Sequence, residues 1–113
     1  MKKVNYKDVG GECPEDCKKL RFKPLIAEKS GAPNFYMRLF EIAPGGNTPR
    51  HYHEWEHEVF VVKGEGKIVL EGREEKLVEG DAIYVESMEL HQFVNTGEAE
   101  LILICVIPKP EHD

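Results

Sequence analysis

Turn-forming residues interrupt this chain roughly every ten positions, and that rhythm limits the fold more than any other feature. From Leu20 onward, short runs rich in Val, Ile, Phe and Tyr are separated by Gly, Pro and Asn. The breaks fall at Gly31-Ala32-Pro33-Asn34, Pro44-Gly45-Gly46-Asn47, Gly64-Glu65-Gly66, Glu71-Gly72-Arg73, Glu79-Gly80-Asp81 and Thr96-Gly97. Runs this short suit strands, and none keeps the apolar period of a helix. The spacing predicts strands over 21–28, 35–43, 57–63, 66–71, 74–78, 82–86, 91–95 and 99–107, an all-β chain.

Two of these strands, 59–62 and 101–107, are apolar on both faces. Such strands need cover on both sides, as in a closed sandwich or barrel that also packs on a second subunit. A homodimer is therefore expected. With 113 residues the chain can build one core but not two. It divides into a polar N-terminal arm (1–19), one β-barrel domain (20–110) and a short charged tail (111–113) in which His112 is solvated.

A net charge of −6 and a pI near 5.4 leave no basic footprint, which argues against nucleic acid and anionic membrane as partners. The apolar run over 101–108 is too short to cross a bilayer, and no apolar stretch follows Met1-Lys2-Lys3 as in a secretory signal. Three cysteines, an odd number, fit a reducing compartment better than a disulfide framework, so the expected location is the cytoplasm. Abundant Glu and Lys beside a single glutamine, Gln92, lean in the thermophile direction.

Four of the five histidines form one pattern: His51, His53 and His57, then His91. On an extended segment His51 and His53 share a face, and His57 and His91 each open a strand. Neutral imidazole is the commonest ligand for divalent transition metals, so these four are the expected ligands of one such ion. Adjacent strand residues face opposite ways, so His57 and Glu58 cannot both point inward; His57 is expected inside and Glu58 outside.

Residues 45–64 resemble the first motif of the cupin superfamily, with Gly45, His51, His53 and Gly64 in register. Residues 80–95 are similar to the second, with Gly80, His91 and Asn95 at the right intervals. The resemblance implies a double-stranded β-helix, or jelly-roll barrel. Two departures are visible. His57 stands where the family usually has glutamate, and Glu86 and Met88 stand where its proline and second glycine fall. A four-histidine set, with residues 32–40, 53–58 and 105–109, resembles the small stand-alone manganese cupins of thermophiles. Manganese is implied by that resemblance alone; Fe, Zn, Ni and Cu suit imidazole equally well. Four neutral ligands leave the full charge of a dication on the metal, and an octahedral ion would keep two open positions.

Alternation places Val59, Val61, Phe93, Leu103 and Cys105 on inward faces, an apolar pocket wall for a small organic substrate. Arg38 and Arg50 are candidates for holding an anion, and Glu86 and Glu89 are expected at the rim. Cys13 and Cys17 admit a disulfide, half a zinc site or a free-thiol arm, of which the last is favoured. Three functions are compatible with the site. The first is a metal-dependent oxidoreductase of the dioxygenase kind, preferred because no inward carboxylate is evident as a base. The second is a metal-assisted isomerase or lyase of a sugar or keto acid. The third is a noncatalytic small-molecule-binding cupin.

Overall fold

The structure, a computed structural model, describes residues 1–110; the tail at 111–113, with His112, lies outside the described residues. Eight strands follow in order: β1 (Lys18–Ile26), β2 (Phe35–Asn47), β3 (His57–Lys63), β4 (Glu65–Leu70), β5 (Arg73–Val78), β6 (Ala82–Val85), β7 (His91–Asn95) and β8 (Leu101–Pro108). The only helical pieces among the described residues are single 3₁₀ turns at Tyr6–Asp8 and Glu28–Ser30. The strands lie in the order β5-β4-β7-β2-β8-β3-β6, with β1 added to β2, and every pair is antiparallel. This is the expected all-β jelly roll.

The long strand β2 joins the two sides of the barrel. Its first part pairs with β8 from Phe35 to Ile42, and its last residue, Asn47, pairs with Val94 of β7. The strand turns between them at Gly45 and Gly46. Gly45 has φ +79°, a left-handed conformation that side chains disfavour, and a Cβ on Gly46 would sit 2.6 Å from the Lys18 carbonyl oxygen. Gly64 is held the same way on the opposite side, with φ +90° and its would-be Cβ 2.5 Å from the Glu100 carbonyl oxygen.

Period-two alternation fills the barrel. On β8, Leu101, Leu103, Cys105 and Ile107 are buried; they meet Val59 and Val61 of β3, Phe93 of β7 and Ile42 of β2. Asn95 is the polar residue that this interior can hold, because all its groups are satisfied. Its Nδ2 donates to the Ile42 and Ala99 carbonyls at 2.8 and 2.9 Å, and its Oδ1 accepts from the Gly97 amide at 2.8 Å. These bonds tie the β7–β8 turn to β2.

On the outer face of β3, β6 and β2, Phe60, Tyr84, Val62, Met37 and Phe35 are exposed. No helix among the described residues is long and apolar enough to cross a membrane.

The N-terminal arm is tied to the barrel by specific contacts. Strand β1 starts at Lys18, ahead of the predicted 21, and Glu12 forms a further bridge to Phe22 through paired backbone bonds of 3.2 and 2.8 Å. Lys23 anchors the arm from below. Its buried ammonium contacts Glu41 Oε1 at 2.8 Å and donates to the Tyr6 carbonyl at 3.0 Å. Cys13 and Cys17 are joined as a disulfide with Cα atoms 6.0 Å apart, where the sequence reading favoured free thiols. The bridge between Glu12 and Phe22 and the turn at Cys17 bring the two sulfurs together, a closure that spacing alone left open.

Candidate metal centre

The histidines are delivered by two backbone devices. His57 and His91 open β3 and β7 and are buried, whereas His51 and His53 sit in the loop between β2 and β3. His51 and His91 are pinned together by reciprocal backbone bonds, His51 N to His91 O at 3.2 Å and His91 N to His51 O at 3.0 Å. The loop is held from both ends. The Phe93 amide donates to Thr48 Oγ1 at 2.8 Å, and the Met88 amide donates to the His53 carbonyl at 2.8 Å.

The side chains then converge. One ring nitrogen from each of His51, His53 and His91 lies within 4.8 Å of the others. His57 joins from β3 with its Nε2 against His53 Nε2, and its ring centroid is 4.3 Å from that of His53 and 5.1 Å from that of His91. Glu58, its neighbour, is exposed on the outer face as alternation requires.

The far side of three rings is engaged. His53 Nδ1 meets the Trp55 carbonyl and His91 Nδ1 the Glu89 carbonyl, both at 2.9 Å, so each Nδ1 donates and each Nε2 keeps a free lone pair. His57 Nδ1 contacts Cys105 Sγ at 3.0 Å. Supporting bonds of this kind fix the tautomer and aim of a metal-binding imidazole. Trp55 stacks on His53, its centroid 4.3 Å away, which fixes that ring further.

Burial holds all four rings below the ordinary imidazole pKa. His57 falls furthest, to about 2, and His51 to about 4; desolvation is the main cause in both, with neighbouring imidazoles and the Arg38 charge adding to it. For His91 and His53 burial also lowers the value, while the carbonyls of Glu89 and Trp55 oppose it. Neutral rings present lone pairs at physiological pH. Two facing Nε2 acceptors and two more rings aimed at the same spot suit a cation between them, so the residues present fit a divalent metal.

The cluster forms one side of a cavity of about 560 Å³. Phe22, Phe40 and Phe93 provide apolar wall, and Arg38, Thr48 and Arg50 provide polar wall. The arm adds Glu12, Pro14, Glu15 and Asp16, all exposed, to the lining of this open cavity.

Phe93 thus lines the cavity, but Val59, Leu103 and Cys105 do not; they are sealed in the core beneath it, at 3%, 0% and 1% exposure. Alternation assigns a face and says nothing about depth along the barrel, so residues on the right face lie below the mouth. Cys105 acts from behind, through His57. The wall residues absent from the sequence reading include Phe22, Phe40, Thr48, Trp55 and the arm carboxylates. Phe22 and Phe40 are cross-strand partners with centroids 5.4 Å apart, and an aromatic pair on β1 and β2 was the available signal.

The profile of one protein family, described as Cupin domain, matches residues 38–107. Among curated proteins, an oxalate-binding protein of Thermotoga maritima is 34% identical over 74 residues, covering 62% of this chain and 61% of its own length. The tetracenomycin polyketide synthase protein TcmJ of Streptomyces glaucescens is 26% identical over 92 residues, covering 77% of this chain and 62% of its own. The chain thus spans about three fifths of these relatives. Among solved structures, the polyketide cyclase RemF of Streptomyces resistomycificus is similar at 36% identity and a TM-score of 0.90, covering 97% of this chain and 80% of that one.

Proposed function

The chain belongs to the cupin family, and from that premise we propose that it is a metal-dependent enzyme that moves a proton next to a carbonyl of a small, largely nonpolar organic molecule. This places it in the isomerase, lyase or cyclase group. The observation that carries the reading is the cavity's mixed lining: the imidazole cluster, three phenylalanines and carboxylates of the arm all border one space. The sequence offered no inward base, and that objection loses force once Glu12, Glu15 and Asp16 line the same space. The likeness to a polyketide cyclase supports the same direction.

His51, His53, His91 and His57 would hold the metal, manganese by resemblance and otherwise Fe, Zn, Ni or Cu. When bound, it supplies Lewis acidity at a substrate oxygen. Phe22, Phe40 and Phe93 exclude water and orient the apolar part of the substrate. A carboxylate of the arm accepts the proton, and the anchored Nδ1 atoms keep the rings from swinging to take it themselves.

A second reading, a dioxygenase-like oxidoreductase, is favoured by the same neutral ligand set, which leaves a redox metal its full charge. Deuterium exchange at the methyl group of acetophenone, followed by NMR without oxygen on Zn-loaded protein, separates the two. Metal-dependent exchange that disappears in His91→Ala supports the first. Oxygen uptake that requires Mn or Fe, with no exchange, supports the second. Absence of both sinks enzymatic function and leaves a noncatalytic binding protein. A second copy of this chain is the partner we assign to the exposed Phe60, Tyr84 and Val62 face; light scattering should give a dimer that Phe60→Glu splits.

A further inference from the structure

Arg38 lines the cavity from β2 and has no carboxylate within ion-pair distance among the described residues. It is half-buried, and its Nε is shielded from water without a hydrogen-bond partner. Its one hydrogen bond runs from Nη2 to Cys105 Sγ at 3.3 Å, a weak acceptor for a cation. The guanidinium is otherwise held by rings: its carbon lies 5.4 Å from the Phe22 centroid and 5.7 Å from that of Phe40. A cation partly withdrawn from water normally needs a counter-charge and satisfied donors, and among the described residues this one has no carboxylate partner and leaves Nε unpaired.

The position is as telling as the isolation. Arg38 is near enough to all four histidines for its charge to lower the pKa of each. Cys105 Sγ, which Arg38 contacts, also contacts His57 Nδ1 at 3.0 Å, so the guanidinium adjoins the histidine cluster as well as Phe22 and Phe40. Formal charge in the cavity points the same way. Arg38 and Arg50 stand against Glu12, Glu15 and Asp16, leaving one unit of negative charge. A dication on the histidines turns this into one unit of positive charge, which a monoanion would neutralise.

We propose that Arg38 is an anion-binding residue and that the molecule taken into this cavity is a planar, aromatic monoanion carrying its charge on a carboxylate or enolate oxygen. The anionic oxygen sits at the guanidinium, and the ring lies against Phe22 and Phe40. Guanidinium donors in a fixed plane suit a flat oxygen anion, and aromatic packing has already set that plane. The charge balance rests on the metal reading above; the Arg38 contact does not.

Benzoate and its neutral isostere benzamide test this by calorimetric titration, first into metal-loaded wild-type protein at fixed pH and salt. Benzoate should bind about tenfold tighter or more, as expected for a charge-assisted hydrogen bond. In Arg38→Met the preference should shrink to within a few-fold, and Arg38→Lys should recover part of it. Equal binding of the two probes by the wild type overturns the proposal without any variant, so a misfolded Arg38→Met does not protect it. The series is repeated on metal-stripped protein. An Arg38-dependent preference that survives stripping supports the proposal, even if it shows the metal reading to be wrong. A preference that survives Arg38→Met and disappears on stripping assigns anion recognition to the metal alone and overturns the role of Arg38. The pair 4-nitrophenolate and nitrobenzene, run in parallel, distinguishes an enolate-like oxygen from a carboxylate.

Discussion

The two walls of the cavity are made in different ways. The histidine wall belongs to the barrel: its rings are set by strand starts, by the reciprocal bonds of His51 and His91, and by carbonyls behind His53 and His91. The arm wall reaches the cavity through one bridge pair and one disulfide, and its carboxylates at 12, 15 and 16 make no ion pair among the described residues. The rigid wall is suited to holding an ion at fixed distances. The lightly tethered wall is suited to choosing what lies beside it. The histidine cluster thus belongs to the barrel alone, whereas the rest of the lining is shared between barrel residues such as Arg38, Phe22 and Phe40 and the arm, so changes in the arm should leave metal binding largely intact.

The largest expected effect is on the barrel side. His91→Ala should weaken metal binding by more than the roughly 10–100-fold that losing a supporting bond costs. It should also abolish the rise in melting temperature that saturating metal gives the wild type. Elemental analysis and thermal melts of protein purified without an affinity-column metal would read both. Next is Leu103→Ala, in the core below the cavity, which should lower stability by about 2–5 kcal/mol in urea unfolding. In contrast, Glu15→Gln on the arm should change stability by less than about 0.5 kcal/mol while altering affinity for a small-molecule ligand. An arm variant that releases the metal would break the division between the walls.

Acid should act on the histidine wall. An imidazole whose folded pKa lies below 6.5 takes up its proton more readily in the unfolded chain, so folding is disfavoured as pH falls. In metal-free protein this contribution is complete above pH 6.5 and should be lost progressively toward about 4 for His51 and further for His57. Urea midpoints that stay flat from pH 7 to about 4.5 would contradict the burial of these rings. A gain in stability is expected at Met88, whose φ of +66° is left-handed at the position where the family has glycine. Met88→Gly should gain about 1 kcal/mol in the same assay, with metal content unchanged.

The barrel was legible because period and punctuation act locally. The run His57–Lys63 declares its own inner and outer faces, and Gly45 and Gly64 mark corners where a Cβ would collide with backbone. His57 and His91 were legible for the same reason, since each opens a strand, and His51 and His53 because their spacing of two puts them on one face of an extended segment. Depth along the barrel was not legible. Val59 and Leu103 share a face with ligands yet lie beneath the cavity, and only the register of β3 on β8 reveals it. How the arm is seated was not legible, because its polar composition gives no sign of what it pairs with. What seats it is a buried Lys23–Glu41 pair and a bridge to Phe22, contacts between residues far apart in the chain. Arg38 was a bare candidate in the sequence; its lack of an ion pair among the described residues required coordinates.

One measurement bears most directly on the metal centre: anomalous X-ray diffraction from crystals of the manganese-loaded protein, collected at the metal edge. The account predicts one strong peak with nitrogens of His51, His53, His57 and His91 at about 2.0–2.3 Å, the usual range for such bonds. A peak bound to Glu58 in place of His57, or sites scattered over surface carboxylates with the four rings unengaged, would contradict it.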